Sequence, residues 1–176
     1  QLMCDCKAPV SVEYFSMCNR LVSRNVFERN VILPFEGVNM WDDVGLCTRV
    51  RFYTRGTAVI NKGFYHYNRQ NEQSTTRRPL LERAREQELC VSCIEDFFRK
   101  EDSHDKYRLF LSYLRLVAAE DLFYYEPDIW RQKFQGLKDD LWKLRKLYTT
   151  KQLFKFYMLG CGGIIGKLVW KRFWKR

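Results

Sequence analysis

The chain has 176 residues, 46% of them hydrophobic and 16% aromatic, with a formal net charge of +10. That is enough apolar material to bury one core and carry an appendage. The charge is local: residues 51–79 and 151–176 carry +5 and +7, while 1–50 and 80–150 each sum to −1. The chain therefore has two basic patches rather than a basic domain, and RNA contact through basic segments stays open. Seven cysteines are an odd number without the spacing of a disulfide framework, which points to reduced thiols in a cytosol or organelle matrix. The first residue is Gln1; a removed organellar targeting peptide is one explanation and a trimmed chain another.

Three regions are expected in chain order. The first, residues 1–78, begins with an irregular lead carrying Cys4 and Cys6. A helix follows from Ser11, because Phe15, Cys18, Val22 and Val26 recur on one helical face, and it stops near Asn30. Pro34, Gly37 and Gly45 mark a loop over residues 31–45. From Leu46 to Thr54 apolar and polar residues alternate, the signature of a half-buried strand. Short apolar runs at Ala58–Ile60 and Phe64–Tyr67, separated by the Asn61-Lys62-Gly63 turn, extend this to a β-ribbon or an extended arm. Residues 68–79 are polar and unpatterned, as in a linker.

The second region, 79–150, is helical. Pro79 opens a helix with an apolar stripe through Leu81, Ala84, Val91, Ile94 and Phe98. Asp102 or Ser103 caps a second helix running through Tyr107, Leu111, Leu114, Ala118, Leu122 and Tyr125, ended by Pro127. A third begins at Asp128. Its Trp130, Phe134, Leu137, Leu141, Leu144 and Tyr148 recur alternately at four and three residues, a coiled-coil-like seam suited to docking a partner protein. Short connections favour antiparallel packing.

The third region, 151–176, holds seven Lys or Arg, no Asp or Glu, and a long apolar run. A span needs about 20 apolar residues, and Leu153–Trp170 supplies the window with Lys155 and Lys167 inside it. Each buried lysine costs about 2.5–3.5 kcal/mol at the centre, less near the ends, so insertion is close to neutral. Three readings compete: a short membrane anchor, a helix lying in the interface on anionic lipid, and a helix buried against other proteins with its basic end on solvent or RNA. On the membrane readings, the anchoring residues are Phe156, Leu159, Gly162, Ile165, Gly166, Trp170 and Trp174.

No reaction is announced. Cys4-x-Cys6 with Cys90-x-x-Cys93 is a weak zinc pattern, since the second pair lies in a helical apolar stripe. Ser103-His104-Asp105 are sequence neighbours and read as helix capping rather than a triad. The pairs Glu120-Asp121 and Asp139-Asp140 point about 100° apart on a helix and cannot converge on one ligand. Arg49, Arg51, Arg55, Arg77 and Arg78, interleaved with Phe52, Tyr53, Phe64 and Tyr65, are an RNA-like surface in kind.

The expected fold is mainly α: a small antiparallel helical bundle with an extended, partly β N-terminal arm and a basic, membrane-associated C-terminal helix. No enzyme activity, catalytic residue, cofactor or metal is expected. The expected function is a non-catalytic accessory subunit of a mitochondrial inner-membrane complex, respiratory chain or ATP synthase, on its matrix side. Its partners are other subunits and anionic lipid. The alternative is a mitochondrial ribosomal protein holding RNA by its basic patches.

Overall fold

The computed structural model describes residues 15–66, 79–125, 127–161 and 168. The described residues are mainly helical and contain no strand. The helices are α1 (Arg24–Asn30), α2 (Asp42–Tyr53), α3 (Leu80–Lys100), α4 (Arg108–Tyr125), α5 (Pro127–Leu144) and α6 (Thr150–Cys161), with a 3₁₀ turn at Arg145–Leu147. Two compact units result, Ser11–Ile94 and Glu95–Arg176.

In the first unit the expected helix to Asn30 is interrupted. Phe15 is helical, residues 16–23 form turns and irregular chain, and helix resumes over Arg24–Asn30; residues 11–14 lie outside the described residues. Phe15 is buried and its carbonyl accepts the Cys47 thiol at 2.8 Å, so it is an anchor under α2 rather than the start of a stripe. Val31 closes α1 in the left-handed region at φ 49°, with Ile32 N–H donating back to Phe27 O at 3.2 Å.

The expected strand at Leu46–Thr54 is instead helix α2. Asp42 and Asp43 sit in its first turn, where the helix dipole favours negative charge. Val44, Cys47, Thr48, Arg49 and Val50 are all buried, so α2 is enclosed over most of its circumference. Such a helix has no apolar stripe to read, and the alternation was a by-product of that. Glu86 of α3 ties down the chain entering α2: its carboxylate accepts Asn39 N–H at 3.3 Å and Met40 N–H at 2.7 Å. The Cys90 thiol donates to Trp41 O at 3.2 Å.

Gly45 packs against Phe35, and a Cβ there would lie 2.8 Å from the ring. Arg49 lays its guanidinium on the same ring, 3.8 Å from the centroid. After α2 the chain runs through an extended, exposed stretch from residue 55 to 66. The expected partly β arm is not found: Ala58–Ile60 and Phe64–His66 are irregular chain with no pairing partner strand among the described residues.

The second unit follows the expected plan more closely. α3 ends where Asp102 adopts φ 49° and Ser103 N–H reaches back to Phe98 O at 2.8 Å. Asp102 therefore terminates α3 rather than capping α4. Phe98 stacks on Tyr107 at 4.3 Å and meets Phe110 edge-on at 6.4 Å. The start of α4 meets the end of α5 through Ser112–Asp140 and Arg108–Asp140 contacts, so the two helices are antiparallel, as their single-residue connection dictates. Leu111, Leu114, Leu116 and Ala118 of α4 are buried, as are Leu137, Leu141 and Leu144 of α5. Thr149 caps α6 in a reciprocal box: its Oγ1 accepts Gln152 N–H at 3.3 Å, and Gln152 Oε1 accepts Thr149 N–H at 2.9 Å.

Gly45→Ala is expected to lower stability by about 1–3 kcal/mol, because the Phe35 ring must move out of its place beneath Arg49. Denaturant unfolding of the full chain measures this.

Candidate docking surfaces

Glu95, on α3, has an 11% exposed side chain. Its carboxylate accepts Arg115, Arg99 at 2.7 Å, and lies 3.2 Å from His104 Nε2. Burial alone would raise this carboxyl, but the Arg115 hydrogen bond and charge, the Arg99 charge and the His104 hydrogen bond outweigh it and hold it below 4.5, its ordinary value. Asp140 is the second buried carboxylate, accepting Ser112 Oγ at 2.7 Å and Arg108 at 3.3 Å, with Lys143 at 3.7 Å. Both carboxylates are saturated by cations or hydroxyl of their own chain, which is how a structural ion network is built.

His104 is accordingly not part of a triad. Its other nitrogen faces Asp105 at 3.4 Å, and the Ser103 hydroxyl donates to Glu101 O at 2.8 Å. An open depression of about 270 Å³ lined by Arg99, Asp102, His104, Asp105 and Lys106 lies beside them. Its walls are charged side chains of both signs and lack the apolar lining of a small-molecule site.

Cys47 and Cys90 are core residues, Cys93 is half-buried and Cys18 is exposed. Burial pushes the Cys47 thiol up to about 11 and the Cys90 thiol up to about 12, so neither is a thiolate at neutral pH. Among the described residues no group of three metal-type ligands assembles; Cys4 and Cys6 lie outside them. Arg49, expected on an RNA-facing surface, is only 8% exposed and rests on Phe35. Burial lowers its pKa. Arg51, Phe52 and Tyr53 are half-buried on α2, and Arg77 and Arg78 lie outside the described residues.

Part of the expected docking seam is covered by the chain itself. Leu137, Leu141 and Leu144 are buried and Tyr148 is half-buried, edge-on to Phe156 at 5.3 Å. Trp130 and Phe134 lie on α5. A side chain already covered by its own chain cannot anchor a partner, so the three leucines are core residues here.

Phe156, expected to anchor in membrane, is 2% exposed and packs on Tyr148. Leu159 lies on α6, while Gly162, Ile165, Gly166, Trp170 and Trp174 lie outside the described residues. Among the described residues no helix is long and apolar enough to cross a membrane.

Large apolar side chains are exposed at several places among the described residues, Leu21, Val31 and Leu33 included, and two of these surfaces also carry cations. One is the outer face of α5, where Trp142 is 59% exposed and Arg145 covers its ring at 4.6 Å; Phe154 of α6 is also exposed. The other is the arm, with Val59, Ile60, Phe64 and Tyr65 all exposed. The sequence signal for the first was a tryptophan off the seam, adjacent to Leu141 and followed by Lys143 and Arg145. Comparisons with protein-family models, with curated proteins and with solved structures find no match.

Because the Glu95 carboxyl is held low, its network stabilises the fold fully above pH 4.5 and loses that contribution as pH falls through the lowered value. Glu95→Gln is expected to cost roughly 1.5–3 kcal/mol at neutral pH and to flatten the acid limb of a stability-versus-pH curve. Thermal unfolding across the acid range reads both effects.

Proposed function

We propose that this chain is a non-catalytic accessory subunit of a large membrane-bound assembly, in the mitochondrial inner membrane as part of a respiratory-chain or ATP synthase complex. The observation that carries this reading is the outward Trp142 with Arg145 laid over its ring. Trp and Arg are the side chains that dominate protein interfaces, since each buries a large area while keeping a polar contact at its edge. A tryptophan left largely in solvent, while the neighbouring Leu141 and Leu144 are fully covered, is an anchor awaiting a pocket on another subunit.

Supporting observations concern the rest of the chain. The buried carboxylates are neutralised internally, which suits scaffolding rather than acid–base work. Free Cys47 and Cys90 thiols in the core suit a reducing compartment. The basic segment 151–176 provides attraction to anionic lipid, roughly 1 kcal/mol per cation at the surface. The ribosomal alternative rests on Arg55 and Lys62 beside the exposed Phe64 and Tyr65.

Native fractionation of the endogenous protein in mild detergent is expected to show co-migration with inner-membrane subunits. Trp142→Ala is expected to weaken that association by about 2 kcal/mol or more, roughly thirtyfold. Co-sedimentation with ribosomal particles instead would replace this reading by the RNA one.

A further inference from the structure

Residues 55–66, the arm that follows α2, carry four exposed large apolar or aromatic side chains, Val59, Ile60, Phe64 and Tyr65. All of residues 55–66 are exposed. A Cβ added at Gly56 or at Gly63 would meet nothing within 4 Å. Val59 is 93% exposed, Ile60 63% and Phe64 69%. Lys62 N–H donates to Ile60 O at 2.8 Å, a three-residue turn, so the Val59-Ile60 and Phe64-Tyr65 pairs flank a reversal of the chain. The segment contains Arg55 and Lys62 and no acidic residue. The Lys62 ammonium lies 5.4 Å from the Phe64 ring centroid, so a cation rides directly beside the apolar tip.

We infer that this arm is a lipid-contacting loop whose tip, Val59 to Tyr65, enters the headgroup boundary of an anionic bilayer. The inference rests on the membrane location proposed above and adds a second contact to that of the C-terminal segment. Two features select this occupant. Consecutive residues, Val59 with Ile60 and Phe64 with Tyr65, are exposed together, so the segment is apolar on both sides. A protein groove or sheet edge reads alternate side chains of an extended segment, whereas hydrocarbon takes apolar groups from any direction. Bases stacked on Phe64 and Tyr65 would still leave Val59 and Ile60, which have no aromatic face, in water, whereas a bilayer takes all four. Lys62 and Arg55 then supply the electrostatic half: their stems lie along the apolar layer while the charges remain among anionic headgroups.

The test is flotation of the full chain with vesicles of phosphatidylcholine alone and of phosphatidylcholine with added phosphatidylglycerol. The wild type is expected to float with the anionic vesicles, less so as salt rises, and weakly with the neutral ones. The double variant Ile60→Asp/Phe64→Asp, at exposed positions that leave both cores intact, is expected to reduce partitioning by about tenfold or more. A companion Trp170→Ala/Trp174→Ala variant keeps the arm and is expected to retain the arm-dependent share of binding. Flotation of the double variant equal to wild type overturns the inference, as does a wild type that ignores anionic vesicles. Loss of RNA or subunit binding in the double variant, with flotation unchanged, overturns it too and reassigns the arm. Co-migration in native fractionation is read separately, so the arm can fail while the subunit reading stands, and the reverse.

Discussion

One helix carries the groups that both units are organised around. In α3, Glu86 closes the chain entering α2 and Cys90 binds the Trp41 carbonyl. Ala84, Val91 and Ile94 of the same helix are buried. From Glu95 onward the same helix supplies the second unit with Phe98, the centre of the aromatic cluster with Tyr107 and Phe110, and with the Glu95 carboxylate that gathers Arg99, Arg115 and His104. The apolar residues supply burial free energy of roughly 25 cal/mol per Å². The two carboxylates supply direction: each has a small set of geometries in which it is satisfied, and a misplaced neighbour would leave a buried charge unpaired.

The two buried carboxylates of the described interior have structural partners. An active site keeps reactive groups poised and incompletely satisfied. Here Glu95 and Asp140 are occupied by their own cations, and Cys47 and Cys90 are protonated donors to carbonyls. The described surface exposes large apolar groups, among them Trp142 and Phe154 on one unit and Val59, Ile60 and Phe64 on the other. Exposed large apolar groups beside basic ones are features of association; on our proposal the partner is protein at Trp142 and lipid at the arm.

Legibility in the sequence followed the ordinary physics of burial. The helices of the second unit each bury one side, so their stripes were readable, and Leu137, Leu141 and Leu144 were correctly picked out as one face. What they face was not readable, because a seam looks the same whether its partner is another chain or helix α4. The stretch 42–53 hid its helix for the opposite reason: buried nearly all round, it has no stripe. Near the N-terminus, apolar spacing across Phe15 to Val26 imitated a helix over a segment that instead turns. Trp142 and the Val59–Tyr65 tip were visible only as residues that no pattern absorbed, and exposure gave them meaning.

The central claim is that α5 turns Leu141 inward and presents Trp142 outward to another subunit. A photo-reactive amino acid placed at position 141 and, separately, at 142 of the endogenous full-length protein tests it directly. The account predicts cross-links to another chain from position 142 and only intrachain cross-links from position 141. Cross-links to another chain from 141 and none from 142 would contradict it, and would return the seam of α5 to the role of docking face.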